Sequence, residues 1–422
     1  MDNISDIDKQ YVWHPFTPQM SKEKNINLVK GDGVYLIDEN GNKYIDAFSS
    51  WWVNLHGHAN PYIAKKIAEQ ATTLEHAVFA GFTHEPGAIL AKRLLEHIPF
   101  HSKVFYSDNG STAVEVALKM AFQFWHNQNN EKINVIAFEN AYHGDTFGGM
   151  SVGARNQFNQ AFSKLLFEVH HIPVPTKENK NVVIEAFKKL ITHHQFSTFI
   201  FEPLVQGAAG MIIYDAETLD ELIKIAQQNN IICIADEVMT GFGRTGKFFA
   251  TDYLQNKPDI ICLSKGITGG FMPFSATTCN TKIYEAYLTN DKYKTFFHGH
   301  SYTGNPLACA AALASLDLLE NSETQNNIER ITKKHNEFIL GLQNNKAVNK
   351  ANSLGTILSI EVKTTENTSY LNSLADVIPS FFLERGIIIR PLGNVIYCIP
   401  PYCINDEELE QIYKAILEFL EA

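Results

Sequence analysis

Two residues stand where chemistry can be done. Asp236 closes the apolar run Ile231-Ile232-Cys233-Ile234-Ala235, and Lys265 follows the run Ile260-Ile261-Cys262-Leu263 by two positions. A carboxylate and an amine at the carboxyl ends of two buried parallel strands share one sheet edge, the edge on which open α/β sheets bind ligands. There the amine can condense with an aldehyde while the carboxylate keeps a ring nitrogen protonated, and pyridoxal 5'-phosphate needs both. A displaced amine can then carry a proton. Either residue alone has an ordinary reading, as a strand-end aspartate bonded to backbone amides or as a solvated lysine.

Other segments fall on the same predicted edge. Asn109-Gly110-Ser111-Thr112 joins the strand ending at Tyr106 to a helix beginning near Ala113. Free amides at a helix start, with two hydroxyls, suit a phosphate; a plain N-cap by Ser111 is the alternative. Tyr142-His143-Gly144-Asp145 follows the strand ending at Phe138, so Tyr142 could stack on a flat ring with Val238 against the opposite face. His143 reads as a structural hydrogen-bonder, because the lysine already covers proton transfer. Gly241-Phe242-Gly243-Arg244-Thr245-Gly246 matches a dinucleotide fingerprint but opens no amphipathic helix and has no strand-end acid about 20 residues on, so that reading is set aside.

Trp51 and Trp52 are adjacent. In a strand they would face opposite ways; on a loop they could wall an apolar pocket, with core packing the alternative. Arg390, before Pro391, offers a guanidinium fork matched to a carboxylate, although surface exposure is the commoner fate of an arginine.

Positioning these groups requires a sheet. Short apolar runs at 103–106, 133–138, 198–201, 231–235, 260–263 and 274–279 alternate with amphipathic stretches, which predicts an α/β fold with a mostly parallel sheet covered by helices over residues 60–310. After Ser111 the spacing of Val114, Leu118, Phe122 and Trp125 predicts a helix, with Glu115 and Lys119 in ion-pair register. Residues 28–50 predict a hairpin turning at Asp38–Asn42. Beyond 310 a long helix, three strand-like segments and a terminal helix from Asp406 predict that residues 1–59 and 311–422 combine into a small α+β domain.

Composition narrows the function classes. A chain of 422 residues with 45% hydrophobic and 19% charged residues suits a large domain plus a smaller one. Its formal charge of −11 disfavours nucleic acid or an anionic membrane surface. The six scattered cysteines form no C-x-x-C pair and read as reduced thiols of a cytoplasmic protein, with no metal expected. The polar, acidic start predicts no targeting segment, and no apolar run is long enough for a membrane span.

Together these segments resemble the class III, fold-type-I pyridoxal-phosphate aminotransferases over essentially the whole chain. Ala235-Asp236-Glu237-Val238, Thr240 to Gly246 and Ser264-Lys265-Gly266 carry the general likeness. Trp13-His14-Pro15-Phe16-Thr17, Ser50-Trp51-Trp52, Tyr142 to Gly148, Gly304 to Ala310, Arg390 to Gly393, and Tyr397 with Pro400-Pro401-Tyr402 look like the branch that aminates 8-amino-7-oxononanoate from S-adenosylmethionine in biotin formation. Other class III activities, on ω-amino acids or diamines, or with lysine as donor, are the alternatives.

The resemblance implies Lys265 as the Schiff-base lysine, Asp236 as partner of the pyridinium, Gly110 and Ser111 as phosphate ligands and Tyr142 as the stacking ring. It implies a homodimer with shared active sites, in which Gly299-His300-Ser301 stands where the family has Gly-Pro-Thr and Ser301 supplies the phosphate hydroxyl. Trp51, Trp52, Gly299, Arg390 and Tyr397 would contact substrate. Phe16 stands where the family commonly has tyrosine and offers substrate no hydroxyl.

Overall fold

The computed structural model describes residues 3–20 and 25–422. Near the amino end, β1 (Leu28–Asp32), β2 (Tyr35–Asp38) and β3 (Lys43–Asp46) form an antiparallel meander. The expected turn lies between β2 and β3, where the Asp38 carboxylate accepts the backbone N–H groups of Asn40 and Asn42 at 2.9 and 2.8 Å. The meander has one strand more than the hairpin expected.

The large sheet contains β4 (Lys103–Ser107), β5 (Asn134–Phe138), β6 (His170–Ile172) and β7 (Phe196–Phe201). After a short ribbon, β8 (Val205–Gln206) with β9 (Ile212–Ile213), come β10 (Ile232–Asp236), β11 (Ile260–Leu263) and β12 (Ser275–Cys279). The strand order is β4-β12-β11-β10-β7-β5-β6. Every neighbouring pair is parallel except those made by β12, which is antiparallel to both β11 and β4. Reversing β12 alone leaves the other six strands pointing one way, so their carboxyl ends line a single edge. All six expected apolar runs are strands here; β6 escaped notice because its His170-His171-Ile172 holds one buried residue.

The helix Gly110–Asn127 follows β4 and buries Val114, Leu118 and Trp125 against the sheet. Trp125 donates its indole N–H to the Ser197 carbonyl at 3.0 Å. The ion pair expected between Glu115 and Lys119 does not form. Glu115 instead accepts the Gly148 N–H at 2.7 Å, capping the helix Phe147–Val152, while Lys119 reaches the Phe297 carbonyl at 3.3 Å. Two free amides at a helix start attract a carboxylate more than a solvated ammonium does.

After helices Pro306–Leu319 and Ser322–Gly341, β13 (Val348–Leu354), β14 (Ile357–Val362) and β16 (Val395–Cys398) form a three-stranded sheet. Between the last two, β15 (Ile387–Ile388) pairs parallel to β3, so a strand from each end of the chain shares one sheet. Among the described residues no helix is long and apolar enough to cross a membrane, and no cluster of metal-ligating side chains occurs. All six cysteines are free, five of them buried.

Candidate active site

The carboxyl edge of the large sheet opens into a cleft with a cavity of about 360 Å³, ample for a ring-sized ligand. Phe16, Trp51, Trp52, Gly110, Ser111, Tyr142, Asp236, Val238, Lys265, Arg390 and Tyr397 all line it. Gly299 and Ser301 do not; they lie on an exposed stretch before the helix Pro306–Leu319.

Lys265 and Asp236 extend neighbouring strands. Asp236 stands opposite Cys262 in the β10–β11 ladder, and the chain turns sharply at Lys265, whose φ is +48°. Its ammonium lies 4.3 Å over the Trp52 ring. Burial lowers the Lys265 pKa to about 8, against the opposing pull of Asp236 and Glu202. A lysine so desolvated is a nucleophile near neutral pH.

Asp236 is buried, each of its oxygens has one partner, and acceptor capacity remains. Its Oδ2 lies 2.7 Å from His143 Nδ1, and its Oδ1 accepts the Val238 N–H at 3.1 Å. An ionised carboxylate can only accept, so His143 donates to it from Nδ1. Its buried Nε2 has no partner among the described residues.

The phosphate expectation gains detail. The cap of the helix Gly110–Asn127 is Asn109 rather than Ser111: the Asn109 side chain accepts the Thr112 N–H at 3.0 Å in a capping box. That arrangement leaves the Gly110 and Ser111 N–H groups without partners among the described residues, at the positive end of an 18-residue helix. Space is tight around them. A Cβ at Gly110 would come 2.7 Å from Val238, and one at Gly144 only 2.1 Å from Ser111 Oγ.

Glu202 was not anticipated. It follows β7 as Asp236 ends β10, so the same strand-end logic would have found it. Its two oxygens accept the Tyr142 N–H at 3.1 Å and the Gly207 N–H at 2.9 Å. Burial raises its pKa to about 7, with nearby Asp236 adding to the rise and His143 opposing it.

The tandem indoles sit on neither a strand nor an open loop. Ser49, Ser50, Trp51 and Trp52 have φ of +54°, +46°, +70° and +72°, a left-handed helical turn of four residues with side chains. Such a turn costs roughly 1–2 kcal/mol per residue and persists only where its surroundings hold it. Ser49 Oγ donates to the Ile399 carbonyl at 2.7 Å, and Ser50 Oγ to the buried Asp46 at 2.7 Å. Buried Arg244 donates to the Trp52, Asn54 and Pro400 carbonyls at 3.3, 3.0 and 3.0 Å. The glycine-rich segment at 241–246 therefore clamps this turn through Arg244, a role its spacing does not signal, and it is followed by only a four-residue 3-10 helix, Ala250–Tyr253.

The turn sends the two rings apart. Trp52 is 4% exposed beneath Lys265 and donates Nε1–H to Tyr397 Oη at 3.1 Å. Trp51 faces the cleft mouth, edge-on to Phe16 at 5.3 Å, with the Arg390 guanidinium 4.5 Å over its ring. Trp52 is thus packed in the core and also floors the cleft beneath Lys265, while Trp51 walls its mouth. Trp52→Ala is expected to lower the unfolding free energy by about 3–5 kcal/mol, read by urea denaturation; a loss under about 1 kcal/mol would show that this indole is not packed as described.

Comparison with known proteins gives consistent matches. The class III aminotransferase family matches residues 17–420. The adenosylmethionine-8-amino-7-oxononanoate aminotransferase of Synechococcus elongatus is 44% identical, covering 97% of this chain and 98% of its own. The crystal structure of the enzyme of the same name from Methanocaldococcus jannaschii aligns with a TM-score of 0.92 at 37% identity over 98% of both chains. An amine transaminase from an uncultivated Pseudomonas species, solved with PLP bound, aligns at 0.91 with 29% identity over 96% of this chain and 97% of its own.

Proposed function

Since the chain belongs to the class III aminotransferase family, we propose that it transfers an amino group from S-adenosylmethionine to 8-amino-7-oxononanoate, giving 7,8-diaminononanoate for biotin formation. Pyridoxal 5'-phosphate is the cofactor of this family, and the residues present suit it. The free amides of Gly110 and Ser111 would take the phosphate, Asp236 the ring nitrogen, and Tyr142 and Val238 the two ring faces, with Lys265 as the attachment point. When bound, the cofactor supplies an aldehyde carbon for the amine and a ring that accepts electrons from the bond broken at the substrate's Cα.

The chain's own groups do the rest. Lys265, with its lowered pKa, would take the proton from the donor's Cα in one half-reaction and deliver a proton to the acceptor's carbon in the other. Asp236, fixed by His143, keeps a positive ring nitrogen charged. The observation that carries the substrate reading is the disposition of two cations over adjacent indoles, Lys265 over Trp52 and Arg390 over Trp51. A molecule with a reacting carbonyl at one end and a carboxylate at the other spans such a pair. Between them the wall is aromatic, which suits an aliphatic chain in one half-reaction and an adenosyl group in the other.

Gly299 and Ser301 stand on exposed chain outside this cleft, so we take them to complete a second copy's site in a homodimer. Six free thiols fit the reducing cytoplasm. Phe16 lines the mouth without a hydroxyl, and that observation keeps lysine as the second candidate donor.

Mixing the holoenzyme with each donor in turn tests the reading. S-adenosylmethionine is expected to bleach the cofactor's visible band, and 8-amino-7-oxononanoate to restore it with release of 7,8-diaminononanoate. Bleaching by lysine alone would move the donor assignment; restoration by pyruvate but not by the oxononanoate would remove the acceptor.

A further inference from the structure

Arg390 follows β15 by two residues and is half-buried at the cleft mouth. It makes no ion pair among the described residues; Trp51 and the phenol of Tyr370 hold it, Nη2 donating to Tyr370 Oη at 3.3 Å. A guanidinium carries its five N–H donors in one plane, so fixing one of them sets the rotation of the whole fork. The rest of the fork stays available to a carboxylate.

Tyr370 is itself held in place. Two residues before it, Thr368 Oγ1 donates to Glu361 at 2.7 Å and accepts from Asn394 Nδ2 at 3.2 Å. Gly393, with φ of +65°, packs so closely beneath that a Cβ there would lie 1.7 Å from the Ser369 carbonyl oxygen. From the other side of the mouth, Phe158 meets the Tyr370 ring edge-on at 4.8 Å and also packs 6.1 Å from Phe16. A phenol that accepts from a guanidinium keeps its own O–H proton to give. Phe16 brings only a ring to this wall, whereas Tyr370 brings a ring and a hydroxyl.

We propose that Tyr370 is a positioning and specificity residue for the acceptor: it orients Arg390 and donates its own O–H to the same substrate carboxylate. Phe158 fixes the ring that does so. The inference rests on the reading of Arg390 as the carboxylate clamp, and the test separates the two.

Steady-state kinetics of the holoenzyme with saturating S-adenosylmethionine would compare 8-amino-7-oxononanoate with its methyl ester. Tyr370→Phe is expected to raise KM for the acid about tenfold and leave KM for the ester unchanged, the effect falling on KM rather than kcat. In an Arg390→Ala background it should raise KM for the acid by clearly less than tenfold, because only the phenol's own hydrogen bond is then left to lose. Calorimetric binding of nonanoate, a nine-carbon acid that cannot react, provides the same comparison without turnover, and Tyr370→Phe should weaken it about tenfold. Equal rises for acid and ester would show a merely structural tyrosine and overturn the proposal. So would wild-type discrimination in Tyr370→Phe while Arg390→Ala loses it. If Arg390→Ala also keeps full discrimination, the clamp reading fails and this inference falls with it.

Discussion

Lys265→Ala is expected to lower kcat by at least about 10³-fold, because it removes the proton carrier and the covalent anchor together. Borohydride reduction followed by peptide mapping should find phosphopyridoxyl on Lys265 in the wild type and nowhere in the variant. A variant retaining more than about a tenth of the wild-type kcat would remove this lysine from the reaction. The fold should survive. Lys265 is a desolvated cation whose partners only partly offset its burial, so deleting it relieves a cost rather than breaking a pair. The lowered pKa adds a pH signature. In the cofactor-free protein, labelling of Lys265 by an amine-selective reagent should rise through a midpoint near 8, while surface lysines respond only about two units higher. The sign follows from burial: the folded protein binds fewer protons than the unfolded chain between those two pH values, so this residue makes stability rise with pH there.

Asp236→Asn is the second large effect, an expected loss of about 10²–10³-fold in kcat. Asparagine keeps the shape but not the charge, and a ring nitrogen facing a neutral amide no longer stays protonated. The substitution also disturbs a second bond, because Asp236 Oδ2 now receives His143 Nδ1 at 2.7 Å. If Asn presents its NH₂ there, His143 must turn its lone pair to Nδ1 and place the proton on Nε2, which has no acceptor among the described residues. Transient kinetics should put the loss in the proton-transfer step at Cα, with cofactor still bound. A kcat within about threefold of wild type would sink the assignment of Asp236 as the charge that holds the ring nitrogen.

Much of the molecule is legible from its residues. The apolar runs at 231–235 and 260–263 are short and bounded, so they could be strands and little else, and the groups just past them had to meet at one edge. The same logic reaches Glu202, the residue just past β7. Errors have a physical source too. Glu115 and Lys119 are correctly spaced for a pair, but pairing depends on what else approaches the helix, and the amides of Gly148 and Gly149 come from 33 and 34 residues away. β6 was missed because a strand at the sheet edge needs few buried side chains.

Local pattern, which is set by period, burial and turn chemistry, determined the parallel sheet, the amine and carboxylate at its carboxyl edge, and the helix start beside them. Tertiary structure alone decided how those groups are held. The left-handed turn at Ser49–Trp52 is unfavourable for every residue in it and exists because Asp46, Arg244 and the Ile399 carbonyl, far apart in sequence, grip it from several sides. Tyr370 reaches Arg390 for the same reason: a polar loop has no preferred shape of its own, and Gly393, Asn394, Glu361 and Phe158 give it one. Contacts between residues distant along the chain leave no periodic trace, and so no reading of neighbours could have supplied them.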